Sequence, residues 1–171
     1  MIKIRNNVFE TNSSSSHSLV VFKEGNVTAN DELWRLNGDG KLYIYANELE
    51  FGRSPFELLI DWYGRLRYAI ASCPDKIEEI ETACYKNVPG LITIKYPGEG
   101  WNNKNTPYYG YVDHQSAGLL ESFLNTHNVT LEEFIFNDKY MVVIDGDEYC
   151  VFDTLQQTPA WNKDNVEEVY G

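Results

Sequence analysis

Apolar and polar positions change period several times along this chain. Ile2 and Ile4 alternate with Lys3 and Arg5, the period-two pattern of a half-buried strand. Val8-Phe9 offers a second apolar anchor after Asn6-Asn7, and Leu19-Val20-Val21-Phe22 reads as a buried strand. Gly25 to Asp31 is a loop. Trp34 and Leu36 then alternate about Arg35, and Leu42-Tyr43-Ile44-Tyr45 follows Asn37-Gly38-Asp39-Gly40. Asn-Gly and Asp-Gly steps favour tight reversals, so a β-hairpin is predicted here.

The period lengthens after Ser54. Ser54, Pro55 and Glu57 suit N-cap, N1 and N3 of a helix, with Leu58, Leu59, Trp62, Leu66 and Ile70 along its apolar side. On that helix Asp61 and Arg65 are expected to form an exposed pair worth about 0.3 kcal/mol. Pro74 opens a second helix, with Ile77, Ile80 and Cys84 on one face and acids in its early part. Pro89-Gly90 turns the chain into a strand over Leu91–Tyr96. A Gly/Asn-rich loop from Pro97 to Pro107 carries Trp101, which either packs back onto the body or contacts a ligand as a lid.

Tyr108 to Val112 is expected to be extended. Ser116 is placed to cap a helix bearing Leu119, Leu120, Phe123 and Leu124, and Thr130-Leu131-Glu132-Glu133 is a capping box for Phe134, Ile135 and Phe136. Tyr140–Ile144 and Tyr149–Phe152 flank Asp145-Gly146 and predict a second hairpin. Residues after Asp153 read as a coil that Trp161 and Val166 dock. Strands at both ends with helices between them predict an α+β fold: one compact domain with a mixed or mainly antiparallel sheet over residues 1–153. Residues 154–171 are then a segment docked on that domain or partly flexible.

Composition narrows the choice of function. The chain has 171 residues, 43% of them hydrophobic, which excludes a disordered chain. No apolar run approaches the roughly 20 residues of a membrane span, so no membrane partner is expected. Met1-Ile2-Lys3-Ile4-Arg5 lacks the apolar stretch of a secretory signal, which makes the cytoplasm the expected compartment. Cys73, Cys84 and Cys150 form no Cys-x-x-Cys pair and are expected to be reduced thiols. The net charge of −12 is uneven, with −3 over residues 1–120 and −9 over residues 121–171. Such a surface repels a phosphate backbone, so direct nucleic-acid binding is not expected. It suits a basic protein partner, with Glu132, Glu133, Asp138, Asp145, Asp147 and Glu148 as the partner-binding candidates.

Candidate chemistry gathers in two polar stretches. Asn12-Ser13-Ser14-Ser15-Ser16-His17-Ser18 connects two apolar segments, and Asp113-His114-Gln115-Ser116 lies between a predicted strand and a predicted helix. A serine nucleophile needs a base within about 3 Å and a group that orients the base. Ser16 with His17, Asp113 and His114 are the catalytic candidates, although no Gly-x-Ser-x-Gly elbow is present. Asn12, Ser13, Ser14, Ser15, Ser18, Gln115, Ser116 and Trp101 are the ligand-binding candidates. Consecutive hydroxyls and turn N–H groups can hold a nucleotide or another anion, or can satisfy their own backbone.

His114-x-Ser116 resembles half of a two-histidine phosphoesterase site, but His17 is followed by Ser18-Leu19 and supplies no second half. No metal site is expected: the three histidines are far apart, and Asp145-Gly146-Asp147-Glu148 lacks the ligand pattern of a calcium loop. No particular cofactor is indicated.

The stretch Glu10-Thr11-Asn12-Ser13-Ser14-Ser15-Ser16-His17 resembles the opening of a family of small uncharacterised proteins from bacteriophages and mobile elements of Gram-positive bacteria. The resemblance covers about a tenth of the chain and implies no assigned activity. It implies an accessory role, binding a host protein in the host cytoplasm and modulating or inhibiting it, with a defence or nucleic-acid-binding enzyme as target. The rival expectation is a small hydrolase, phosphoesterase or nucleotide-binding domain built on Ser13–Ser18 with Asp113 and His114.

Overall fold

The computed structural model describes residues 16–25, 36, 38–52, 57–98, 107–145 and 163–171. Its fold is α+β. Four strands build the main sheet: β1 (Ser16–Phe22), β4 (Glu57–Leu59), β7 (Tyr140–Asp145) and β8 (Val166–Tyr170), in the order β4-β7-β1-β8. Every pairing in that sheet is antiparallel. Two short parallel pairs lie outside it. β2 (Lys41–Tyr43) pairs with β5 (Thr93–Lys95), and β3 (Glu50–Phe51) pairs with β6 (Tyr111–Val112). The helices are α1 (Trp62–Ser72), α2 (Ile77–Asn87), α3 (Leu119–His127) and α4 (Leu131–Phe136).

The apolar runs are continuous because both faces of the main sheet are buried. Leu19, Val142, Ile144 and Leu59 join the larger core with α1 to α4. Val20, Phe22, Met141, Val143 and Val166 form a second core on the opposite face. Strand alternation assigns His17 and Leu19 to the same, helix-covered face. The register sets His17 opposite Ile144 of β7.

Several expectations change once tertiary contacts are formed. Residues 57–59 are strand β4 rather than the first turn of a helix, because they complete the edge of β7. The helix begins at Trp62 instead, where the Asp61 carboxylate accepts from the Gly64 N–H at 2.6 Å. Arg65 is therefore no exposed partner of Asp61. Its side chain is 1% exposed and its guanidinium donates to the carbonyls of Ile135, Tyr140 and Ile60. Burial lowers its pKa to about 10.

The reversal at Gly38–Gly40 carries one antiparallel bridge, Leu36 to Leu42, while β2 takes its ladder from β5. Trp34 lies outside the described residues, as do the Ile2–Ile4 strand, Val8-Phe9, Ser54-Pro55, Cys150 and the return arm Tyr149–Phe152. α2, β5 and α4 stand where the sequence puts them. β1 begins at Ser16 and takes in Ser16-His17-Ser18, read from sequence as part of a polar connection, because β7 pairs with them. Val166–Tyr170 is a strand and not coil, paired with β1 through a bulge between Val21 and Phe22.

Candidate functional site

The local path of residues 110–118 explains how one candidate stretch is held. Gly110 has φ +77°, and a Cβ there would collide with the Leu49 carbonyl, so the backbones of both segments come close. Tyr111 N–H then donates to Leu49 O at 3.0 Å and Asp113 N–H to Phe51 O at 2.7 Å. The Asp113 carboxylate folds back to accept from Gln115 N–H at 3.0 Å, an Asx-type turn. Ser116 N–H closes the turn on Asp113 O at 2.9 Å.

Ser116 does not cap the next helix, as its sequence position suggests. Gly118, in the left-handed region, is the N-cap residue of α3. The Ser116 hydroxyl accepts instead from the backbone N–H of His17 at 3.2 Å, across 99 residues of sequence. This bond joins the start of β1 to the turn. It brings two of the sequence candidates together, and a third, Asp113, interacts electrostatically with His17.

His17 itself is 3% exposed. Its Nδ1 lies 3.1 Å from the Tyr68 hydroxyl of α1, and the two rings meet edge to face with centroids 5.6 Å apart. Phe51 also meets the Tyr68 ring edge to face, with centroids 5.4 Å apart. Burial lowers the His17 pKa to about 4, outweighing the Asp113 charge, which acts in the opposite direction. Burial raises that of Tyr68, so the phenol stays protonated. The imidazole is neutral, and its tautomer decides whether Nδ1 or the phenol is the donor in their bond. A ring this buried cannot take a proton from a substrate hydroxyl without first being uncovered.

The exposed part of the corner is His114, 83% exposed, with Nδ1 3.4 Å from Oδ1 of the buried Asp113. An imidazole oriented by a carboxylate is half of a base dyad. Ser16 is exposed, Ser18 half-buried and Gln115 exposed. Asn12, Ser13, Ser14, Ser15 and Trp101 lie outside the described residues. His127 stands apart at the end of α3, packed on Phe123 and Tyr170 and 3.6 Å from Glu168. Among the described residues no three His, Cys, Asp or Glu side chains could hold a metal ion. Burial pushes the thiols of Cys73 and Cys84 up to about 12, which leaves them protonated and unreactive.

A second surface is formed by α2 and α4. Thr130 caps α4 by accepting from Glu133 N–H at 3.1 Å, as the capping box predicts, while the Glu133 carboxylate accepts from the Tyr140 hydroxyl at 3.2 Å. Two open depressions adjoin at Thr130 and Glu132. One, of about 350 Å³, is lined by Asn87, Thr130, Glu132, Glu133, Phe136 and Asn137. The other, of about 430 Å³, is lined by Glu78, Glu79, Thr82, Ala83, Thr130 and Glu132.

Glu132 also binds Lys86 at 2.7 Å and Asn87 at 3.1 Å. Asp138 is exposed and lies against Gly25. Asp145 ends β7, and Asp147 and Glu148 are outside the described residues. Sequence reasoning missed Glu78 and Glu79 as surface candidates, because helix-dipole complementarity explained them fully. It missed Tyr68 because nothing in the local pattern distinguishes a core tyrosine from one that holds a histidine. Among the described residues no helix is long and apolar enough to cross a membrane.

Compared with family models, curated proteins and solved structures, the chain gives no match.

Proposed function

We propose that this chain is an acidic binding protein whose α2–α4 face docks onto a basic surface of a protein partner, modulating or inhibiting it. The observation that carries the reading is the pair of adjoining depressions, with Glu78, Glu79, Glu132 and Glu133 around them. Carboxylates at the rim steer a basic partner, and Phe136 and Ala83 offer apolar contact inside. The N-terminal resemblance to proteins of bacteriophages and mobile elements makes that partner a host protein in the host cytoplasm. A defence or nucleic-acid-binding enzyme fits, since its basic groove matches the charge of this surface.

Capture from a Gram-positive host lysate tests the reading. Wild-type chain is expected to retain a basic protein that a Glu78→Lys/Glu79→Lys/Glu132→Lys chain loses, with retention falling as salt rises. Equal capture by the two chains defeats the reading.

One observation favours a second reading, a small hydrolase, phosphoesterase or nucleotide-binding domain: the exposed His114 imidazole is held by the buried Asp113 carboxylate. Nucleotide binding or phosphodiester turnover that vanishes in His114→Ala, with partner capture unchanged, would favour this alternative.

A further inference from the structure

The junction between β1 and the 113–116 turn holds titratable groups in an arrangement that neither reading above uses. His17 enters the sheet as the second residue of β1, and the β1–β8 register stops at Leu19–Tyr170. The start of β1 is held by β7, by the backbone of Gly171 lying against the His17 carbonyl, and by the corner: His17 N–H on Ser116 Oγ and His17 Nδ1 against Tyr68. The titratable groups facing His17 include Tyr68 from α1 and Asp113 from the turn, and its β7 neighbour is the apolar Ile144.

We propose that this junction is an acid-sensitive latch: a proton on the buried His17 ring releases the start of β1 from the Asp113–Ser116 turn while the α1–α2–α4 body stays folded. Three features of the geometry drive the release. A charged ring that is 3% exposed loses its hydration, so the protonated form favours an uncovered site. The Tyr68 hydroxyl can accept from Nδ1–H as well as donate to Nδ1, but it is a neutral partner and brings no counter-charge to the protonated ring. Asp113 is the counter-charge at hand, and its effect on the ring is smaller than that of burial. Opening at the end of a strand also breaks fewer contacts than separating its middle, so the corner yields before the core.

Amide exchange followed by NMR, corrected for intrinsic rates, tests the latch on the wild-type chain. With the His17 ring at about 4 in the closed state and about 6.5 when uncovered, the opening equilibrium at the His17 and Ser116 amides should grow about 30-fold from pH 8 to pH 5. Ile80 and Phe134 should keep their protection over the same range. His17→Gln, which cannot take the proton, should abolish the growth. The proposal is overturned if the growth persists in His17→Gln, or if Ile80 and Phe134 open together with His17. Should His17→Gln fail to fold, the wild-type ring decides: an ordinary titration midpoint with the corner still closed overturns the latch, and a depressed midpoint coinciding with its opening supports it.

Discussion

The hydroxyl of Tyr68 in α1 lies 3.1 Å from Nδ1 of His17 in β1, joining residues 51 apart in sequence inside the core. The bond ties the first helix to the first strand and settles the orientation of the imidazole. Tyr68→Phe removes the hydroxyl and leaves a buried ring nitrogen without it. A loss of about 1–2 kcal/mol is expected, read from urea unfolding at neutral pH. A change below about 0.3 kcal/mol would mean that the bond contributes nothing net.

The same histidine makes stability depend on pH. Its folded pKa of about 4 lies below the ordinary imidazole value of 6.5, so the unfolded chain takes up the proton first. The contribution is complete above about pH 6.5 and is lost as pH falls toward 4, reaching about 3 kcal/mol. Unfolding midpoints at about pH 7.5 and about pH 4.5 should differ less in His17→Gln than in wild type. Identical acid losses in the two chains would contradict this.

Arg65 should be the most sensitive charged position in the described core. Its guanidinium donates to the carbonyls of Ile135, Tyr140 and Ile60, which belong to α4, β7 and the link after β4. Arg65→Ala leaves those acceptors buried without their donor, and a loss of about 3–5 kcal/mol is expected by thermal or urea unfolding. Arg65→Lys should recover only part, because an ammonium cannot span the forked arrangement. Full stability in Arg65→Lys would show that geometry is not the cause.

Two glycines with the same backbone angle should respond differently. Gly110 (φ +77°) would press a Cβ into Leu49, whereas Gly118 (φ +79°) has open space around it. Gly118→Ala should cost about 1–2 kcal/mol from left-handed strain alone. Gly110→Ala should cost clearly more, because the approach of residues 110–113 to Leu49 and Phe51 must open as well. Melting temperatures compare the two directly, and equal shifts would refute the difference.

Much of this protein follows from short-range pattern. The apolar runs at Leu19–Phe22 and Tyr140–Ile144, the helical spacing of Ile77, Ile80 and Cys84, and the Thr130 cap all read directly, because each depends on contacts within one element. The α+β class and the acidic last third follow from the same information. What stayed hidden required a distant partner. Glu57–Leu59 carries a helical signature and becomes a strand because β7 offers an open edge. Val166–Tyr170 reads as coil until β1 pairs with it.

Arg65 shows the same limit at a single residue. An aspartate four positions earlier suggests a surface pair, yet three carbonyls from other segments make burial favourable. At the site, the sequence marked His17, Asp113 and Ser116 as unusual polar residues but could not bring them to one corner. That juxtaposition arises from a hydrogen bond spanning 99 residues and from the contact of Tyr68 in α1 with His17 in β1. Periodicity reports which side of an element is apolar, and it decided the elements. Only packing decides which element covers that side, and so which polar group is buried with a partner.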